Sequence, residues 1–144
     1  MKNFMDDQDF LLSTKTGEDL FHNFAEGMPI VDYHCHISPK EIWDDKRFEN
    51  ITEVWLGGDH YKWRLMRANG VDERFITGDA PAREKFQKWA ETLGRCVGNP
   101  VFEWSHLELK RFFGYEGVLN GNTAQEVWDL ANAKLALSLI HISE

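Results

Sequence analysis

The sequence predicts an α/β protein in which one buried strand precedes a series of helices. An apolar run at residues 30–37 lies between Pro29 and Pro39, and no later stretch has the pattern of a strand. Glycines that can end helices recur at short intervals after Pro39. A lone buried strand leaves its backbone donors and acceptors unpaired, so it needs sheet partners that these residues do not supply. We therefore expect the chain to be the front part of a larger fold.

A short helix is predicted ahead of the strand. Thr16 is a candidate N-cap, because its hydroxyl can accept a hydrogen bond from a backbone N–H of the first turn. Gly27 is a candidate stop, since glycine readily adopts the conformation that ends helices. The apolar stripe of this helix consists of Leu20, Phe21 and Phe24.

Five further helices are predicted after Pro39. In the clearest of them Asp79 is a candidate cap and Pro81 falls in the first turn, where proline is tolerated. In the last of them Thr123 and Glu126 form a T-x-x-E capping box. The five helices are predicted at residues 48–56, at residues 60–69, before Gly94 with an apolar face of Phe86, Trp89, Ala90 and Leu93, at residues 104–113, and after Thr123 with an apolar side of Val127, Leu130, Ala131 and Leu135.

Two histidines one residue apart, His34 and His36, are the first candidates for a functional site. Side chains alternate along a strand, so both imidazoles share one face with Asp32, while Cys35 takes the other face as a small core residue. Neutral imidazole is a good ligand for a divalent metal such as zinc. An H-x-H triplet also arises by chance, but the strand pattern and the proline stop favour a metal site. Asp32 is either an orienting partner of one imidazole or a simple surface residue.

Composition narrows the class of protein. The 144 residues include 16 Lys and Arg against 24 Asp and Glu, for a formal charge of −8, which argues against nucleic acid or an anionic membrane surface as the main partner. Two cysteines are too few for a disulfide framework, and no signal peptide or membrane span is predicted. We therefore expect a reduced, cytoplasmic protein of about one domain in size.

Two longer motifs carry a resemblance to a known family. DYHCHISP at residues 32–39 follows the first helix, and GGDHYKWRLMRANGV at residues 57–71 precedes ERFITGDA at residues 73–80. Over residues 1 to about 134 the chain resembles uronate isomerase, also called glucuronate isomerase, of the amidohydrolase superfamily. The resemblance implies the N-terminal portion of a metal-dependent (β/α)8 TIM-type barrel. Residues of about 30–37 would be its first strand, and residues of about 40–134 a mostly helical region.

The resemblance also implies roles for four residues. His34 and His36 match the family's metal-binding pair, and the expected cofactor is a divalent metal, zinc first, whose necessity for the reaction is left open. His60 and Tyr61 match the active-site pair that contacts the sugar acid and takes part in proton transfer. The remaining metal carboxylate and the substrate-binding arginines belong to later strands of the family, so the metal site is incomplete here.

The implied reaction is an aldose–ketose isomerisation of a uronic acid. It interconverts D-glucuronate with D-fructuronate and D-galacturonate with D-tagaturonate, moving a hydrogen between C2 and C1 with the help of a base and an acid. We expect a small uronic acid as the substrate, a homo-oligomer at full length, and no nucleic acid or membrane partner. The 144-residue chain alone is expected to be inactive and to bind zinc weakly.

The same residues also have plainer interpretations. His60 can serve as part of a helix cap, and an aromatic residue such as Tyr61 at a helix start usually packs. Lys62 and Arg64 are interpreted as a solvated face rather than as carboxylate binders. Two histidines in predicted helices have no partner visible in the sequence and are interpreted as structural or exposed: His22 and His106.

The last ten residues depart from the family pattern, and two other functions remain as hypotheses. Residues 135–144 turn apolar and β-branched and depart from the family pattern, so we interpret them as a divergent, non-native tail and assign no role to His141. A second hypothesis is a metal-dependent hydrolase of the same superfamily. A third is a non-catalytic helical chain that binds partners or does not fold alone.

Overall fold

The structure, a computed structural model, describes residues 5, 8–31, 33–34 and 38–136. The chain divides into two units, residues 1–43 and 44–144. Among the described residues the regular secondary structure is helical, and the predicted strand is not formed at residues 30, 31, 33 and 34. Ile30 and Val31 are 94% and 82% exposed, so no neighbouring strand covers them. The rest of the predicted strand lies outside the described residues.

The first unit contains two short α-helices among its described residues. Helix α1 spans Lys15–Leu20 and continues as a π-helical turn at Phe21–Ala25, and helix α2 spans Pro39–Trp43. The cap of α1 is Thr14, whose side chain accepts a hydrogen bond from the N–H of Gly17 at 3.0 Å. The prediction of Thr16 as the cap is wrong, because Thr14 has the extended backbone that an N-cap requires and Thr16 lies inside the helix. None of these helices contains a buried residue.

The second unit contains five α-helices among its described residues, as predicted. They are α3 at Ile51–Leu56, α4 at His60–Ala68, α5 at Ala82–Leu93, α6 at Pro100–Phe113 and α7 at Ala124–Leu135, with a short 3-10 turn at Glu73–Phe75. None of the helices in the described part of the chain combines the length and apolarity needed to cross a bilayer.

Helix α5 lies at the centre of the core of this unit and contacts α3, α4 and α7. The ring of Phe86 lies 6.2 Å from that of Trp55 on α3 and 5.6 Å from that of Trp128 on α7, measured between centroids. The side-chain amide oxygen of Asn132 on α7 accepts the N–H of Ile51, a donor of the first turn of α3. The predicted apolar face of α5 is confirmed, because its four members are fully buried: Phe86, Trp89, Ala90 and Leu93.

The helix starts depart from the predictions. Asn50 and Asn99 cap α3 and α6, so these helices begin at residues 51 and 100 rather than at 48 and 104. Pro81 stands at the start of α5 with no side-chain cap, so the prediction of Asp79 as the cap is wrong.

The capping box predicted for α7 is also absent. The Thr123 hydroxyl instead donates to the carbonyl of Val118 at 2.8 Å and accepts from the N–H of Asn120 at 2.9 Å. Thr123 has a helical backbone, not the extended one that a capping box requires. Its side chain therefore organises the loop before the helix.

His106 on α6 is structural. Its Nδ1 donates to the carbonyl of Phe102 at 2.6 Å, and its Nε2 accepts the N–H of Leu119 at 2.9 Å, which requires the neutral imidazole. The side chain is 1% exposed, and burial lowers its pKa below the ordinary value of 6.5. The structural interpretation of His106 is therefore confirmed.

Replacing Phe86 with alanine tests the central role of α5. We expect Phe86→Ala to lower the free energy of unfolding by about 3–5 kcal/mol, because it removes a fully buried ring and leaves a cavity. The measurement is urea unfolding of the chain followed by far-UV circular dichroism. The control Val97→Ala, at a site that is 76% exposed, should change the same free energy by less than about 0.5 kcal/mol. Equal effects of the two substitutions would contradict this account of the core.

The neutral state of His106 predicts a pH dependence of stability. Above about pH 6.5 the imidazole is neutral whether the chain is folded or unfolded, and its stabilising contribution is complete. As the pH falls from 6.5 through the lower pKa of the folded state, the unfolded chain takes up the proton first and that contribution is lost. His106→Leu should therefore lower the free energy of unfolding by about 1–3 kcal/mol at pH 8, and this loss of stability should become smaller toward pH 5.

Denaturant unfolding of both proteins between pH 5 and pH 8 measures this difference. Taking the difference between the two proteins cancels the titration of other groups, including His22. A cost that stays constant across this range would show that His106 carries no pH dependence.

Candidate functional site

A tight turn between α3 and α4 positions His60 and Tyr61. Helix α3 ends at Leu56, and a Cβ on Gly57 would clash with the carbonyl oxygen of Glu53, so this position requires glycine. The indole Nε1 of Trp63 donates to the carbonyl of Leu56 at 2.8 Å and ties the new helix to the end of the preceding one. The turn therefore places the first residues of α4 at a defined position.

Asp59 is the N-cap of α4. One carboxylate oxygen, Oδ1, accepts from the backbone N–H groups of Tyr61 at 2.9 Å and Lys62 at 3.2 Å. The other oxygen, Oδ2, accepts from the Lys62 ammonium at 2.6 Å. Burial opposes ionisation of this carboxyl, but the hydrogen bonds and charge of Lys62 prevail and hold the pKa of Asp59 below its ordinary value.

His60 and Tyr61 lie side by side at this helix start. Their ring centroids are 4.4 Å apart with an angle of 31° between the planes, and both residues are exposed. The guanidinium carbon of Arg64, which is also exposed, lies 5.6 Å from the centroid of the Tyr61 ring. An imidazole, a phenol and a guanidinium are thus grouped on one accessible patch, where they can donate to or accept from the oxygens of a polar ligand.

Lys62 contradicts the interpretation as a solvated residue. Its side chain is buried and binds the Asp59 carboxylate, with Nζ 5.8 Å from the ring centroid of Trp55 and 6.0 Å from that of Trp89. The i,i+3 spacing of Asp59 and Lys62 could have indicated this ion pair. The burial could not have been predicted, because it comes from helices α3 and α5.

Glu108 on α6 was not singled out from the sequence. It is half-buried, and it accepts a hydrogen bond from the indole Nε1 of Trp55 at 2.7 Å. Burial raises its pKa, while the nearby Lys62 charge and the Trp55 hydrogen bond act in the opposite direction. Glu108 therefore belongs to the same electrostatic cluster as Asp59 and Lys62, although 49 residues separate it from Asp59.

The predicted metal pair is only partly described. His34 is exposed in a non-helical segment, and His36, like Asp32 and Cys35, lies outside the described residues. Within the described ranges no three His, Cys, Asp or Glu side chains approach closely enough to hold a metal ion. The described residues alone therefore contain no three-ligand metal site.

His22 has two carboxylate partners that were not predicted from the sequence. Its Nε2 lies 3.0 Å from a carboxylate oxygen of Asp9, and its Nδ1 lies 3.1 Å from a carboxylate oxygen of Glu26. The hydrogen bond to Asp9, and then that to Glu26, raise the pKa of His22 above its ordinary value. The i,i+4 spacing of His22 and Glu26 was a visible signal for the second contact.

One open cavity of about 380 Å³ lies beside the first turns of α3 and α5. It includes neither His60 nor Tyr61. Its lining mixes charged, polar and apolar residues: Glu49, Asn50, Thr52, Glu53, Leu56, Gly57, Ile76, Ala80, Ala82 and Lys85.

Comparison with known proteins identifies the family. The family model described as UxaC, glucuronate isomerase, matches residues 1–143. Uronate isomerase of Lachnospira eligens is 70% identical over 135 residues, and that of Endomicrobium trichonymphae is 64% identical over the same length. Each alignment covers 94% of this chain and 29% of the relative. The chain therefore spans less than a third of the length of these relatives.

A solved structure agrees with this match. The crystal structure of uronate isomerase from Thermotoga maritima superposes with a TM-score of 0.86 at 39% sequence identity, over 94% of this chain and 30% of that one. The resemblance predicted from the motifs around His34 and His60 is thereby confirmed. Because the family model matches nearly every residue and a solved member has the same fold over this region, the chain belongs to the glucuronate isomerase family.

Proposed function

We propose that this chain forms the N-terminal part of an enzyme that interconverts D-glucuronate with D-fructuronate and D-galacturonate with D-tagaturonate. The observation that carries the proposal is the exposed His60–Tyr61 pair, 4.4 Å between ring centroids, in a chain 70% identical to a uronate isomerase. A reduced, cytoplasmic setting accords with the presence of only two cysteines.

The side chains at this helix start suit the reaction. Isomerisation moves a hydrogen between C2 and C1 and requires proton transfer at the carbons and at their oxygens. Imidazole is the side chain most often used for such transfer near neutral pH, and we assign His60 this role. The Tyr61 hydroxyl can donate to or accept from a substrate oxygen, and the Asp59 cap holds its backbone at the start of α4.

We propose a metal as a second component of the longer enzyme. His34 and His36 would supply two imidazole ligands to a divalent ion, zinc being the first choice on ligand chemistry. A catalytic zinc usually has three protein ligands, so a third would come from residues beyond those described here. A bound divalent ion would supply Lewis-acid polarisation of substrate oxygens.

The exposed apolar residues of the first unit support the need for more chain. Several described residues between 24 and 43 expose large apolar side chains that a folded enzyme would cover. The part of the Lachnospira eligens relative that lies outside the match is more than twice as long as this chain. We propose that this additional chain packs on the exposed residues, which include Phe24, Met28, Ile30, Val31, Tyr33, Ile42 and Trp43.

A chimaeric enzyme tests the proposed activity. Residues 1–134 of this chain would replace the matched part of the Lachnospira eligens relative, to which they are 70% identical. We expect the chimaera to convert D-glucuronate to D-fructuronate, measured by a coupled reduction of the ketose. His60→Asn should lower kcat/KM by about a hundredfold or more, because it removes the group assigned to proton transfer.

The control in the same chimaera is Val97→Ala, at an exposed position in the turn between α5 and α6, which should retain full activity. A folded chimaera that isomerises neither D-glucuronate nor D-galacturonate, beside an active intact relative, would refute the assignment. Full activity of His60→Asn would refute the role of His60 alone.

The 144-residue chain by itself should behave differently. We expect no uronate turnover and zinc binding weaker than about micromolar, since two histidines fall short of a full ligand set. Isothermal titration with zinc measures the affinity. His34→Ala should weaken the binding further, whereas His60→Ala should leave it unchanged. Isomerase activity in the purified chain, or nanomolar zinc binding, would contradict this expectation.

A further inference from the structure

The buried side chain of Lys62 belongs to the same helix start as the exposed His60 and Tyr61. Lys62 is 8% exposed, whereas Tyr61, one residue earlier in the same helix, is 61% exposed. The two neighbours therefore point into different surroundings, one into the core and the other toward solvent. One peptide unit joins the buried residue to the exposed one.

Asp59 connects the buried ammonium to the exposed pair. Its two carboxylate oxygens accept hydrogen bonds from different groups. Oδ1 accepts from the backbone N–H groups of Tyr61 and Lys62, and Oδ2 accepts from the Lys62 ammonium. An aspartate that only capped the helix could turn about its side-chain torsions. The ion pair at 2.6 Å removes that freedom and holds Oδ1 toward the backbone of Tyr61.

Side chains from three other helices restrict the position of the Lys62 ammonium. The rings of Trp55 and Trp89 lie within about 6 Å of Nζ, and Glu108 is held beside Trp55 by its own hydrogen bond at 2.7 Å. Three helices, α3, α5 and α6, therefore contribute to the site that encloses a residue of α4. The start of α4 is fixed to the core through this enclosed charge.

We propose that Lys62 is a positioning residue, which binds Asp59 Oδ2 from the buried side and so sets the backbone and ring arrangement of His60 and Tyr61. The functional meaning of that arrangement rests on the proposed isomerase function. The positioning itself does not, because it concerns geometry within this chain.

A purely stabilising role is the competing explanation. Buried ion pairs often add little net stability, because desolvation of the two charges offsets their attraction. A stabilising role predicts that loss of Lys62 changes global unfolding and leaves the local geometry of the folded chain intact. A positioning role predicts the reverse: the folded chain persists while the order at His60 and Tyr61 is lost.

Nuclear magnetic resonance of the 144-residue chain separates the two roles. The variant Lys62→Met keeps the apolar stem and removes the charge, and Asp59→Asn keeps an oxygen for the helix cap and removes the charge that Lys62 binds. We expect either change to weaken the nuclear Overhauser contacts between the His60 and Tyr61 rings. The Tyr61 amide proton should exchange about tenfold faster, because its acceptor is no longer held in place.

In the double variant the ring contacts should weaken, and Tyr61 exchange should accelerate, no more than in either single variant, since the two residues act through one interaction. The matched control is Lys88→Met, which removes another i,i+3 ion pair of the same unit, Lys88–Glu91 at 2.8 Å. The control should leave the ring contacts and Tyr61 exchange unchanged. Amide exchange of core residues on α7 reports global stability in every variant.

Unchanged ring contacts and unchanged Tyr61 exchange in folded Lys62→Met would overturn the proposal, as would an equal loss of order in Lys88→Met. If Lys62→Met does not fold, Asp59→Asn decides: a folded variant with intact ring contacts would refute the positioning role. None of these results depends on enzyme activity. Failure of the isomerase assignment in the chimaera would therefore be recognised separately.

Discussion

The burial of one face of α5 is the constraint on which the second unit depends. Helices α3, α4 and α7 all contact α5, and the fully buried rings of Phe86 and Trp89 lie at its centre. Apolar area removed from water contributes about 25 cal/mol per Å², and large aromatic side chains supply much of it. The turn that presents His60 and Tyr61 joins two of the helices packed on α5. The geometry of the candidate site is therefore set by the core rather than by local preference alone.

The same packing accounts for the residue types in the short motif around His60. In GGDHYKWR, Gly57 permits the tight turn, Asp59 caps the helix, and Trp63 bonds back to the preceding helix. Lys62 faces inward toward Trp55 and Trp89. These four residues thus serve structure, whereas His60, Tyr61 and Arg64 of the same motif are exposed. The motif therefore specifies both the turn and helix start and the exposed side chains that they hold.

The sequence predicted most of the helices and the family, and its errors have a common physical origin. Periodicity located the buried face of α5, and glycine stops located the ends of α4 and α6, because both signals depend on residues close in sequence. The capping predictions failed for Thr16, Asp79 and Thr123. Thr14 caps α1 instead, α5 begins after Pro81 with no side-chain cap, and the Thr123 hydroxyl bonds within the preceding loop. The sequence predictions also missed the burial of Lys62 and the participation of Glu108, since both arise between helices distant in sequence. Local signals thus identified the helices, whereas the cluster of Asp59, Lys62 and Glu108 depends on tertiary packing.

The core of the second unit has a consequence for how the polypeptide acquires its structure during synthesis. All members of its main apolar cluster lie between Ile51 and Leu135. Once these residues have left the ribosome, every partner needed for that core is already present, and domains fold as units in the order of their synthesis. The helix start that carries His60 and Tyr61 can then be ordered cotranslationally. In a chain of the relatives' length, later segments would meet a helical unit that has already folded.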